Sequence, residues 1–248
     1  MQSTFINRVP SIVFLYWVIK IASTTLGETG ADMFSMTFDL GYGTTILIFM
    51  SLFVILLGIK LAFKRYEPIT YWLVFTASAI VGTAISDFID RTLGLGYAVG
   101  SAILIGLLLV ILGLWYIKEK SLSVETITTP WSEGYYWLAF LIANTLGTAV
   151  GDFVADDLEL GFMIGAFLFT GLLAITVVLH FTTRVSSIVL FWFAFVLTRP
   201  FGATFGDFLT KSTEQGGLDF GTVGASVFFA VVLVVALIKE VKLEKAHW

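Results

Sequence analysis

The sequence predicts an all-α polytopic membrane protein, with eight transmembrane helices arranged as four hairpin repeats of the same orientation. Three observations lead there. Apolar residues make up 58% of the 248 and charged residues only 13%, with a mean hydropathy of +0.95. A soluble fold of that composition would lack the polar residues to cover its core. Second, the stretches 68–86, 95–117, 160–179 and 221–238 carry no charge and are long enough to cross hydrocarbon. Third, one skeleton recurs four times: a Trp, a Gly ten positions on, an Asp after fifteen and a Gly after twenty-four. It reads Trp17, Gly27, Asp32, Gly41; then Trp72, Gly82, Asp87, Gly96; then Trp137, Gly147, Asp152, Gly161; and Trp192, Gly202, Asp207, Gly216.

The elements follow from these stretches. The first span is expected over about 11–34, with Pro10 tolerable in its first turn. A polar turn at 39–43 leads to a second span over 44–63. Pro68 then opens a third span to about 89, and the turn at 91–96 leads to a fourth over 97–117. The connection 118–133 is the longest and divides the chain into halves. Spans over 132–154 and 162–180 form the third hairpin. The fourth joins 186–209 through the longest turn, 210–221, to a span ending near 238. The whole chain, 1–248, reads as one membrane domain with repeats at about 10–64, 65–120, 130–184 and 185–240. Two crossings per repeat give every hairpin the same orientation, so the internal symmetry is expected about an axis along the membrane normal.

Basic residues set the expected sidedness. Arg8, Lys60, Lys64, Arg65, Lys118, Lys120, Arg184, Lys239, Lys242 and Lys245 lie at one end of the spans, whereas the hairpin turns carry only Arg91 and Lys211. The positive-inside rule places both termini and the inter-repeat connections in the cytoplasm. The acids collect at the other end, where Asp39, Asp90, Asp156, Asp157, Glu159, Glu214 and Asp219 join the four repeated aspartates. Such a mouth concentrates cations.

Composition also excludes chemistry. There is no Cys, and the two histidines, His180 and His247, lie near a span boundary and in the tail. Thiolate or histidine-rich metal sites and Ser-His-Asp catalysis are therefore not expected. No phosphate-cradling loop or haem-ligand pattern is visible, so neither an enzyme nor a bound cofactor is expected. The expected partners are the lipid bilayer and an inorganic cation or small solute, not a nucleic acid.

One broad helical face carries the repeat. Counting Trp as position 0, positions 3, 7, 10, 11, 14 and 15 lie together at about 100° per residue. They are Lys20, Thr24, Gly27, Glu28, Ala31 and Asp32 in the first repeat, and Phe75, Ala79, Gly82, Thr83, Ser86 and Asp87 in the second. The third has Phe140, Asn144, Gly147, Thr148, Gly151 and Asp152; the fourth has Phe195, Arg199, Gly202, Ala203, Gly206 and Asp207. Lipid requires no such face, so it is expected to look toward protein or a polar cavity. The glycines Gly27, Gly82, Gly147, Gly202, Gly151 and Gly206 permit close helix packing. Trp17, Trp72, Trp137 and Trp192 read as interfacial or packing anchors.

Asp32, Asp87, Asp152 and Asp207 stand about 22 Å beyond the tryptophans by the helical rise. They either cap the turns or converge as a cation site, and the second reading makes them the candidate metal ligands. Converging like charges raise one another's pKa and invite proton coupling. Lys20, Glu28 and Arg199 break the four-fold pattern with deeper charge, and Glu28 with Arg199 is a candidate cross-helix pair. Lys20 has the alternative of snorkelling toward the cytoplasm. Asn144, Thr83 and Thr148 complete the expected pathway set.

The four tryptophans, the pairs Gly27-Glu28, Gly82-Thr83, Gly147-Thr148 and Gly202-Ala203, and the four aspartates carry a resemblance. With them the chain resembles bacterial membrane proteins of uncharacterised function built from four tandem two-helix, tryptophan-containing repeats. The first repeat departs most, with Glu28 and Ala31-Asp32-Met33 in place of the later pattern. The resemblance implies an inner-membrane protein and leaves the substrate open. From the residues, the expected function is transport of a cation, with oxygen ligands suited to a hard divalent ion such as Mn²⁺ or Mg²⁺, and with proton coupling. Arg199 and Lys20 argue against a simple cation pore and leave room for an organic-solute carrier. The other class is a non-transporting membrane scaffold or partner-binding protein. A polar cleft reaching the aspartates separates transport from a dry, closed scaffold core.

Overall fold

A computed structural model describes residues 8–63, 65–124 and 127–246, all helical or irregular. Lys64 and His247 lie outside the described residues. Eight long helices follow in order: α1 (Phe14–Asp32), α2 (Gly41–Ala62), α3 (Pro68–Asp87), α4 (Tyr97–Glu119), α5 (Pro130–Asp152), α6 (Gly161–Thr182), α7 (Ser187–Thr210) and α8 (Thr222–Ala246). Seven are long and apolar enough to cross a membrane. The exception, α1, carries Lys20, Glu28 and Asp32 within 19 residues.

Local chemistry starts and stops these helices. At α3 the Glu67 carboxylate accepts from the amides of Ile69 and Thr70 at 3.3 and 2.7 Å, with Pro68 in the first turn. At α5 the Thr129 hydroxyl accepts from the Ser132 amide at 3.1 Å, followed by Pro130. The odd helices α1, α3 and α5 each pass, immediately after their aspartate, into a π-helical turn: Met33–Thr37, Phe88–Thr92 and Phe153–Asp157. A left-handed residue and then a left-handed glycine end the hairpin turn: Asp39 and Gly41, Gly94 and Gly96, Glu159 and Gly161. In repeat four these roles fall to Asp219 (φ 54°) and Gly221 (φ 76°). Gly216 holds the spacing in sequence, but the turn there is five residues longer, and Gly221 is the glycine that opens α8. At the glycines a bare hydrogen at Cα permits the positive φ without steric cost, whereas Asp39, Glu159 and Asp219 adopt it with a side chain.

The odd helices α1, α3, α5 and α7 form a closed ring in which each packs on the next and α7 returns to α1. The even helices surround it. Each leans chiefly on the odd helix of the following repeat: α2 on α3, α4 on α5, α6 on α7, and α8 back on α1. The outer faces of α2, α4, α6 and α8 expose apolar side chains such as Leu47, Ile103, Phe167 and Val231. The connection between the halves is not a free spacer. Val124 and Ile127 are buried, the Leu122 carbonyl accepts from the Trp192 indole at 3.0 Å, and the Arg8 amide donates to the Ile127 carbonyl at 3.0 Å. Beside it Glu133 of α5 takes both Arg8 (2.6 Å) and Lys60 (2.8 Å) in a buried network.

Candidate functional site

The ring is held by a cyclic glycine contact. A Cβ added at Gly27 would lie 2.5 Å from that of Ala79, at Gly82 2.8 Å from that of Asn144, and at Gly202 2.7 Å from the Thr24 hydroxyl. A Cβ at Gly147 would overlap Arg199. Position 10 of each repeat therefore receives position 7 of the next, and the fourth receives the first. Gly151 against Ala203 and Gly206 against Glu28 repeat the relation one turn on, from position 14 to position 11. Equivalent residues thus meet at the same level, and the repeated face lines the centre of the ring.

Three charged layers stack along that centre. In the first, the Lys20 ammonium lies 5.2, 5.7 and 3.9 Å from the ring centroids of Phe75, Phe140 and Phe195, the three residues at its own repeat position. It donates to the Phe195 carbonyl at 3.1 Å and is 1% exposed. The aromatic faces and one carbonyl hold it inside the ring; it does not snorkel. Next to this layer Asn144 donates to the Ser78 hydroxyl at 3.0 Å.

The second layer is a hub on Arg199. Its guanidinium donates to the Thr24 carbonyl (3.0 Å), to Glu28 (3.2 Å), to the Thr148 hydroxyl (2.8 Å) and to the Thr83 hydroxyl. Thr83 and Thr148 also donate to Glu28 at 3.2 and 3.4 Å. Residues from all four repeats meet here, and the cross-helix pair anticipated between Glu28 and Arg199 is formed. The Arg199 Nε is buried without a hydrogen-bond partner among the described residues. Pro200 follows at once, inside α7, and offers no amide to the Val196 carbonyl.

The third layer holds the four aspartates, each almost fully buried. They are organised as two pairs. Lys211 bridges Asp32 (2.6 Å) and Asp207 (3.1 Å), and Arg91 bridges Asp87 (3.3 Å) and Asp152 (3.7 Å). Burial works against the Lys211 charge, but Asp207 and Asp32 outweigh it and hold the ammonium well above its ordinary pKa. Glu28, Asp32 and Asp207 bring carboxylate oxygens within 4.8 Å of one another, the one acidic cluster of metal-site size among the described residues.

Arg91 and Lys211 are the functional candidates that reading the sequence missed, because they sit in turns. A signal was present: both occupy repeat position 19, where repeats one and three have Met36 and Asp156. Each basic residue joins the aspartate one turn before it to that of the next repeat, so the ring has an approximate two-fold pattern at this level. The tryptophans divide. Trp72 and Trp137 are 1% exposed, with the Trp72 indole donating to Glu240 at 2.6 Å, whereas Trp17 and Trp192 are half-buried. The first two are packing residues of the bundle rather than side chains exposed at an interface.

Fold and site together define a polytopic helical membrane protein, built from four repeats that close into a ring around buried charge. The chain belongs to the family described as Repeat of Unknown Function (DUF347), whose model matches residues 15–66, 70–121, 135–186 and 190–245. Comparison with curated proteins and with solved structures found no match.

Proposed function

We propose that this protein is a cation transporter of a bacterial inner membrane, with the central column of ionisable groups as its transit and coupling element. The observation that carries the reading is the Arg199–Glu28 hub with four buried aspartates beyond it. A helical bundle in lipid has no packing need for such groups, and each costs free energy unless it faces a partner or a path. All eight helices cross in this reading. The charges of α1 support its crossing, since Lys20, Glu28 and Asp32 are buried in the ring and none faces lipid. The hairpins share one orientation about an axis along the membrane normal, with both termini cytoplasmic and the aspartates at the outer mouth.

In this reading the closed ring is a resting state. Lys211 and Arg91 act as tethered cations that occupy the carboxylate pairs until a permeant ion or protons displace them. Carboxylate-only ligands suit a hard divalent ion such as Mn²⁺ or Mg²⁺ as cargo. The test is flux of an ion panel through proteoliposomes. Asp207→Asn and Asp152→Asn are expected to abolish flux of the transported ion while folding is retained. Wild-type flux in all four single Asp→Asn variants would sink the site assignment.

One observation favours a second reading, a non-transporting scaffold: the cyclic glycine contacts leave the ring closed, with the aspartates out of reach of solvent. Absence of flux for every ion tested, together with a Glu28→Cys thiol that stays unreactive from either side, would favour the scaffold.

A further inference from the structure

The four-fold pattern has one open quarter. Counting from the glycine that opens each even helix, Lys60, Trp115, His180 and Glu240 are equivalent. Three of them fill the space beside an odd helix: Lys60 pairs with Glu133, Trp115 packs edge-on against Trp192 at 5.9 Å, and Glu240 takes Trp72 and Tyr66. His180 is exposed instead, and beside it lies a cavity of about 660 Å³ whose lining includes Trp17, Leu173, Thr176, Phe191 and Ala194. The Trp17 indole, like that of buried Trp137, has no hydrogen-bond acceptor among the described residues, whereas those of Trp72 and Trp192 have one; of the two, only Trp17 borders the cavity.

We propose that this cavity holds one acyl chain of an anionic phospholipid, with the headgroup at His180 and Arg184. Its volume falls in the range of about 300–1,000 Å³ typical of small-molecule sites. Most of the lining belongs to α6 and α7, two helices able to cross the membrane, so at that depth the medium is hydrocarbon. An apolar cavity of this kind does not hold water, and the chain of a neighbouring lipid is the occupant at hand. The rim residues Phe14, Val177, Phe181 and Ile188 are exposed apolar side chains, which leaves the entrance open to the side. His180, Ser187 and Ser123 of the lining lie by the α6–α7 connection, with exposed Arg184 just past the end of α6, whereas the lining hydroxyls of Thr176 and Thr198 donate to carbonyls of their own helices at 2.9 Å each. The end at that connection matches a phosphate, and the Trp17 N–H matches an ester oxygen.

The test is native mass spectrometry of the full chain, exchanged against vesicles of equal phosphatidylglycerol and phosphatidylcholine. One retained phospholipid per chain is expected, phosphatidylglycerol in excess. Ala194→Trp fills the cavity from α7 and Leu173→Trp fills it from α6; each should cut retention about tenfold, the effect of losing one good contact set. His180→Ala with Arg184→Ala should keep one lipid but bring the two headgroups to parity. Helix content and elution volume report folding, and the two filling variants stand in for each other if one fails to fold. No retained lipid in the wild type, or undiminished retention in a folded filling variant, overturns the proposal. A retained lipid whose headgroup preference survives loss of both basic residues overturns the headgroup assignment.

Discussion

Arg199 shows what a single residue has to satisfy at the centre of this ring. Its guanidinium meets groups from each of the other three repeats and faces the carboxylate of Glu28, and both side chains are almost fully buried. A pair of this kind is held in place by what either partner would suffer alone. Arg199→Met should destabilise the fold by about 3–5 kcal/mol, because Glu28 then stays buried without its cation. The double variant Glu28→Gln with Arg199→Met should cost less than the sum of the two single changes, as contacting residues do not add. Detergent-phase unfolding of the four proteins checks both statements, and additivity would rule out the pair as a unit. The depth and opposite charge of Glu28 and Arg199 were readable from the repeat register, since both break it. The partners Thr83 and Thr148 were readable as polar positions on the same face. Arg91 and Lys211 were not, because a basic residue in a turn is ordinary and nothing local says which carboxylate it reaches.

At the scale of the element, the odd helices are specified by small residues at a fixed period. Gly82 meets the Asn144 backbone and Cβ, so a methyl group there would force α3 and α5 apart. Gly82→Ala is expected to cost about 1–3 kcal/mol by overpacking. Gly58 of α2 has open space around its Cα, and Gly58→Ala is expected to leave stability unchanged or raise it by up to about 1 kcal/mol. Thermal unfolding followed by helical signal distinguishes the two, and equal effects would contradict the packing account. The helices were legible as apolar stretches, and most of their ends followed from Pro, Gly and the turn acids. Gly216 is the instructive case, since the turn expected over 210–221 runs past it. It keeps the sequence spacing of Gly41, Gly96 and Gly161, but the five extra residues of the last turn move the helix start to Gly221. Spacing alone does not reveal which of two left-handed glycines precedes a helix.

For the whole molecule, the pattern of packing is circular although the chain is linear. Each even helix lies on the next repeat, and α8 completes the circle on α1. The Ser226 hydroxyl donates to that of Thr29 at 3.0 Å across this closure. Because the chain has no cysteine, Thr29→Cys with Ser226→Cys gives a clean test. Oxidation should join the two within one chain, seen as a mobility shift without a dimer. A purely intermolecular product would mean that α8 leans on another molecule instead.

By itself the sequence determined the membrane character, the four repeats, the helix-forming stretches and the inward face, because composition and period are local properties. It also marked Lys20, Glu28 and Arg199 by their departure from that period. Only the tertiary structure decided that neighbouring repeats share their even helices, since α2, α4, α6 and α8 are apolar on nearly every side and carry no directional signal. It likewise decided the charge pairing. Arg199 reaches a carboxylate 171 residues away and Lys211 one 179 residues away. Such pairs depend on ring closure, and closure is a property of all four repeats at once.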